Sequence, residues 1–254
     1  MREEVDAIRA AARRSNEFFG SSLPMIASEN ILSPRALEML VTDFHGRYAE
    51  GLPGKRYYQG CAEFDIVEAK AIELAKKLFR VHFANVQPTS GTVSNMAVLK
   101  ALVKPGDQIT ALSTAAGGHI SHAKMGAVGV RGLNVTEYPW DIDRMALDID
   151  GSVKLIRELK PKLALFGGSV ILFPTPLKGA VADACHEVGA NIMFDAAHVL
   201  GLIAGGKFQQ PLHEGADVMT GSTHKTLPGP QGGIVLSDHK GDSETDAKFL
   251  KSLD

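Results

Sequence analysis

The chain has 254 residues, 44% hydrophobic and 22% charged, enough apolar material to bury about 70–75% of its unfolded surface and too much for a disordered polymer. Its 27 basic and 29 acidic side chains leave a net charge of -2, so no basic excess exists to hold nucleic acid or an anionic membrane. The two cysteines, Cys61 and Cys185, cannot build a disulfide framework and point to a reducing cytoplasm. The start, MREEVDAIRAAARR, lacks the apolar run of a secretory signal, and the longest apolar stretch, 163–173, is interrupted by Gly167-Gly168 and too short to span a bilayer.

In chain order, apolar periodicity predicts a helix over 2–19 and a short helix after Ser33-Pro34, where proline suits a first turn. Residues 47–60 (RYAEGLPGKRYYQG) show no apolar period and read as a long loop of the functional kind. Residues 63–80 read as an amphipathic helix. Beyond them, short apolar runs at 83–87, 108–112, 133–138, 162–168, 190–195, 216–221 and 232–237 alternate with helical stretches such as 92–103 and 180–188. This alternation predicts an α/β fold with a largely parallel sheet. Residues 237–254 are polar and read as a linker or the beginning of a further unit.

Ligands of such sheets sit outside the carboxyl ends of the strands, and four candidate sites fall there. Ser90-Gly91-Thr92 opens a helix and offers either a phosphate cradle or a plain N-cap. Gly117-Gly118-His119 and His122 follow the strand at 108–112; His119 is suited to stacking on a ring, to a metal, or to bonding its own loop. Asp195 leaves a buried strand end, a placement that calls for a positive or N–H partner or a capping role. Lys225, in STHKTLPGP, is either a solvated turn lysine or a desolvated amine fit for imine chemistry. Together these are the parts that hold pyridoxal phosphate.

The motifs Met25–Asn30 (MIASEN), Tyr48–Gly51 with Pro53–Cys61 (PGKRYYQGC), Gly117-Gly118-His119, Asp195–Leu202 (DAAHVLGL) and Thr223–Leu227 (THKTL) resemble those of serine hydroxymethyltransferases over essentially the whole length. The resemblance implies a fold-type I, three-layer α/β/α large domain with a mostly parallel sheet. It implies an N-terminal helical segment at 1–45, a pyridoxal phosphate-binding large domain at 46–236, and at 237–254 either a polar tail or the start of a small C-terminal domain absent from this sequence. By the same resemblance, Lys225 would hold the cofactor as a Schiff base, His119 would stack on its ring, Asp195 would pair with its nitrogen and His198 would lie near its hydroxyl. Ser90, Gly91, Thr92 and His224 would hold the phosphate, with Tyr48 reaching a phosphate and Ser169 near the cofactor. Ser28, Glu50 and Tyr58 would serve the substrate, Glu50 as the acid/base. The region of Tyr48 to Tyr58 serves a neighbouring subunit in that family, which implies a homodimer with shared sites.

The implied reaction takes serine and a tetrahydropterin (tetrahydrofolate or a modified pterin) to glycine and the methylene-tetrahydropterin. Gln231, where arginine is usual, and Thr114 point to an archaeal or divergent branch. Alternatives are a threonine aldolase or transaldolase, a non-catalytic cofactor-binding fragment, and a zinc or iron hydrolase using His119, His122, Asp195 and His198.

Overall fold

The computed structural model describes residues 2–254. The first helix, α1 (Arg2–Gly20), carries Glu3 and Glu4 in its first turn, where carboxylates favour the helix dipole, and none of its residues is buried. At α2 (Pro34–Leu40) the Ser33 hydroxyl accepts from the Ala36 N–H and Pro34 occupies the first turn, as expected.

Residues 47–60, expected as a loop, contain a small hairpin of β1 (Gly51–Leu52) and β2 (Lys55–Arg56). Charge pairing specifies it. The Arg56 side chain is only 5% exposed and donates to Asp65 at 2.7 Å, to Glu68 at 2.5 Å, and to the carbonyls of Ala49 and Gly51. Both carboxylates project from α3 (Ala62–Phe79), so the hairpin is tied to the body of the protein without an apolar pattern.

The α/β layers follow. In order come β3 (Phe83–Asn85), α4 (Gly91–Leu102), β4 (Gln108–Ala111), α5 (Ala127–Val130), β5 (Asn134–Glu137), and a hairpin of β6 (Trp140–Asp141) and β7 (Ala146–Leu147). Then come α6 (Ile149–Leu159), β8 (Leu163–Gly167), α7 (Ala180–Glu187), β9 (Asn191–Asp195), α8 (Leu200–Ala204), β10 (Val218–His224), β11 (Pro228–Ser237) and α9 (Glu244–Leu253). The sheet runs β3-β11-β10-β9-β8-β4-β5. Five neighbouring strands, β10 to β5 in that order, are parallel, and β11 is antiparallel to both its neighbours.

Strand residues alternate between two cores, as the period of two requires. Ala164, Phe166, Ile192 and Phe194 pack with α6, α7 and α8 through Ile156, Val181, Ala184 and Leu200. Leu163, Leu165, Met193 and Val235 pack on the opposite face with Val98 and Leu99 of α4 and Val128 of α5. The sheet is therefore covered on both faces, which is the three-layer arrangement.

Residues 237–254, read from sequence as a polar tail or the start of a further unit, contain α9, which packs on the sheet's core. Ser243 caps α9 through the Asp246 N–H, Leu253 is buried, and Phe249 packs against the same core as α4. Only two or three apolar positions in ten residues hold this helix down, too few to stand out as a periodic pattern.

The ends of β8 and β9 are closely apposed. Gly167 has φ +84°, and a Cβ there would lie 2.0 Å from the Asp195 carbonyl oxygen. Gly167→Ala should therefore lower stability by about 1–3 kcal/mol, seen as a lower urea midpoint. Gly20→Ala, with nothing within 4 Å, should leave it unchanged or raised. Equal midpoints for Gly167→Ala and wild type would contradict this packing.

Candidate active site

The carboxyl ends of the strands open on a crevice of about 270 Å³. Ser90, Gly91, Thr92, His119, Asp195, His224 and Lys225, from all four sequence candidates, line it together. A second cavity of about 250 Å³, lined by Trp140, Leu147, Ile171 and Phe173 among others, is apolar and holds none of these groups.

Asp195 ends β9 and is 3% exposed. Its Oδ1 accepts from the Ala197 N–H at 2.9 Å, so it does cap the next turn. Its Oδ2 accepts from Asn95 Nδ2 at 2.7 Å and from His122 Nε2 at 2.9 Å. Burial on its own would raise the carboxyl pKa. The bonds and charge of His122, with those of Asn95 and Ala197, outweigh it and hold the pKa at about 2.

Asn95 was not among the expected site residues. It sits one turn after Gly91 on the buried face of α4, and a polar residue at a core position was the available signal. Thr220, also buried, donates to Asn95 Oδ1 at 2.6 Å, which orients the amide so that its NH₂ faces Asp195. The same NH₂ donates to Ser121 Oγ at 3.1 Å, and Ser121 Oγ lies 2.7 Å from His119 Nδ1. The Ser121 N–H also donates to that nitrogen, which makes Nδ1 an acceptor and places the His119 proton on Nε2. Burial lowers the His119 pKa, against the pull of Asp195. One hydrogen-bonded chain thus links Thr220, Asn95, Ser121 and His119, with Asp195 bonded to the amide at its centre.

Lys225 lies in the three-residue connection between β10 and β11. Its Nζ is 3.3 Å from His198 Nε2, and its main-chain carbonyl accepts from Asn30 Nδ2 at 2.8 Å. Burial lowers the amine's pKa, with Asp195 opposing. Burial, followed by the charge of Lys225, lowers His198 to about 4, so this imidazole is neutral and accepts from the amine.

At the other side, Ser90 caps α4 by accepting from the Val93 N–H at 3.2 Å. Gly91 lets Ser222 approach closely, since a Cβ would stand 2.3 Å from Ser222 Oγ and force that hydroxyl to move. The helix N-terminus therefore meets the crevice with small residues and its positive dipole end, beside His224.

Other expected residues do not line this crevice. Tyr48 and Glu50 are exposed, and Tyr58 Oη donates to Glu50 Oε2 at 3.4 Å within the 47–60 segment. Ser28 and Ser169 are partly buried outside it; the Ser169 N–H donates to the Gly117 carbonyl at 2.8 Å. His119, His122 and Asp195 bring donor atoms within 4.8 Å of one another, the spacing of a metal trio. However, His122 meets Asp195 as a hydrogen-bond donor, and the carboxylate's outer oxygen is already taken by two N–H groups.

A family model described as serine hydroxymethyltransferase matches residues 2–252. The chain belongs to the serine hydroxymethyltransferase family. It is 53% identical to the serine hydroxymethyltransferase of Methanocella arvoryzae over 251 residues, 99% of this chain and 57% of that protein. Identity to that of Methanopyrus kandleri is 56% over 92% of this chain and 54% of the relative, and to that of Methanocaldococcus jannaschii 54% over 97% and 57%. The chain spans about half the length of these curated relatives, which are mostly archaeal, as the Gln231 and Thr114 departures suggested. Among the described residues no helix is long and apolar enough to cross a membrane.

His198, an expected site residue that does not line the crevice itself but stands behind Lys225, predicts a pH dependence. Its folded pKa of about 4 lies below the ordinary 6.5, so the unfolded chain binds the extra proton first as pH falls. Stability should decline between about pH 6.5 and 4, and His198→Gln should flatten that part of the thermal-melting profile. An unchanged slope in the variant would show that His198 titrates normally.

Proposed function

We propose that the chain supplies the cofactor-binding part of a pyridoxal phosphate-dependent serine hydroxymethyltransferase, which turns serine and a tetrahydropterin into glycine and the methylene-tetrahydropterin. The observation that carries this reading is a buried, ionised Asp195 sharing one crevice with the Lys225 amine, whose own pKa is lowered.

The residues fit the cofactor. Asp195 presents an anion suited to a protonated ring nitrogen, Lys225 an amine suited to an aldehyde, and the α4 N-terminus with Ser90, Gly91, Thr92 and His224 a site for a dianionic phosphate. When bound, pyridoxal phosphate acts as an electron sink for bonds broken at the amino acid's α-carbon.

The chain's own groups have distinct tasks. Asp195, held low in pKa by His122 and Asn95, would favour a proton on the nitrogen of a bound ring. Neutral His198 accepts from Lys225 and adds no positive charge of its own beside the amine. His119, with its proton on Nε2, lines the crevice for the ring to pack against. Among the described residues that line the crevice there is no arginine, so the carboxylate of serine must be gripped from elsewhere.

A homodimer completes the reading. Helix α1 exposes Val5, Ile8, Phe18 and Phe19, and the following segment exposes Leu23, Met25, Ile26 and Ile31, an apolar surface that a second subunit would cover. Tyr48, Glu50 and Tyr58 stand outside this chain's own crevice, as residues serving a neighbour's site would. Glu50 then handles the proton at the serine hydroxyl. The cytoplasm, with its reduced thiols, suits the two free cysteines.

Purified protein mixed with pyridoxal phosphate and reduced with borohydride should carry the pyridoxyl group on Lys225, found by peptide mass mapping. Label on another lysine, or none, would overturn the assignment of Lys225 and the cofactor reading with it.

A further inference from the structure

Four of the chain's nine histidines gather at the opposite end of the sheet from the crevice, among the carboxylates of Asp217, Asp238 and Asp246. His239, just past β11, stands between two of these carboxylates. Its Nδ1 lies 2.8 Å from Oδ1 of Asp246 in the first turn of α9. Its Nε2 lies 3.3 Å from Oδ1 of Asp217, just before β10. The ring packs on Phe249 of α9 with centroids 4.7 Å apart.

Ionised carboxylates only accept hydrogen bonds, and a neutral imidazole has one N–H and one bare nitrogen. Neutral His239 therefore bonds one aspartate and turns a lone pair on the other, whereas the imidazolium donates to both. Both carboxylates are fixed from elsewhere. Asp217 Oδ2 accepts from the Ile192 N–H at 2.6 Å. Asp246 is placed by the Ser243 cap, which accepts from its N–H, and its charge suits the positive end of the helix.

We propose that protonated His239 is a pH-sensitive clasp that fastens α9 to the start of β10, closed in mild acid and released as the solution turns alkaline. Burial alone would lower the imidazole's pKa; the bonds and charges of Asp246 and Asp217 outweigh it and raise it. The other charges around this depression are Asp238, Lys240 and Asp242 on the same connection, and His186 of α7, whose Nε2 is 3.9 Å from Asp217 Oδ1. His82, before β3, and His213, in the turn at Pro211–His213, pair with Asp238 instead, at 2.7 and 3.5 Å. Because the folded pKa is raised, the clasp's contribution is complete below about 6.5 and is lost as pH rises through the folded value, the reverse of His198. At high pH α9 keeps the packing of Phe249 and Leu253 and the bond from Asn85 Nδ2 to the Leu253 carbonyl at 3.2 Å. The helix it packs against is α4, whose N-terminus lines the crevice, so the clasp acts on the layer that carries the phosphate cradle.

Amide hydrogen exchange of the whole chain at about pH 6 and about pH 8.5 tests this, read as protection factors so that the intrinsic pH dependence of exchange cancels. Protection of α9 should fall at least ~3-fold at the higher pH while that of β9 holds. In His239→Gln and in Asp246→Asn the α9 response to pH should vanish. His82→Gln, which leaves both partners of His239 in place, should respond as wild type does. Proton NMR of the wild-type imidazoles, with His239→Gln identifying the resonance, should show His239 titrating above 6.5. Unchanged α9 protection in wild type, a pH response that survives in both His239→Gln and Asp246→Asn, a response lost in His82→Gln, or a His239 titration at or below about 6.5 would overturn the proposal.

Discussion

The site depends on keeping a negative charge at the buried end of β9. An ionised carboxylate removed from water loses several kcal/mol of solvation, and Asp195 recovers it through three N–H donors fixed by the fold. Each donor comes from a different element. Asn95 belongs to α4, His122 follows β4, and Ala197 begins the turn into α8. The carboxylate therefore acts as a keystone: the sheet end, the first helix after β3 and the glycine-rich turn after β4 must all be in place before its charge is tolerable.

The same arrangement separates the titration behaviour of neighbouring groups. Asp195 is held anionic, while His198 and His119 are held neutral and the Lys225 amine is eased toward its unprotonated form, in every base chiefly by burial. An anion, neutral imidazoles and a lowered amine within one crevice are what a cationic ring bearing an aldehyde and a phosphate requires. Lys225 reaches this position because β10 and β11 form a tight antiparallel hairpin at the edge of the parallel strands. Its backbone is further tied to Asn30, so the N-terminal segment is coupled to the site.

Much of this was legible in the sequence. The alternation of apolar runs with helical stretches reads as a doubly covered sheet because the central strands, Leu163–Gly167 and Asn191–Asp195, are buried along almost their whole length. Glycines beside hydroxyls, and Asp195 and Lys225 at strand ends, stood out because strand ends are where such residues are costly without a purpose. The rest is held by interactions without a period. The β1–β2 hairpin rests on Arg56 and two carboxylates of α3, and α9 rests on a serine cap and a few apolar contacts. Asn95 and Thr220 were hidden because a single polar residue in an apolar helix or strand is visible only once its partner is known.

The central claim is that Asp195 is ionised before any cofactor arrives. Carbon-13 NMR of aspartate-labelled protein, with Asp195→Asn identifying the resonance, measures this directly. The account predicts a carboxylate shift that stays constant from neutral pH down to about pH 4 and begins to titrate only toward about 2. A resonance that titrates above pH 5, or one already protonated at neutral pH, would contradict it.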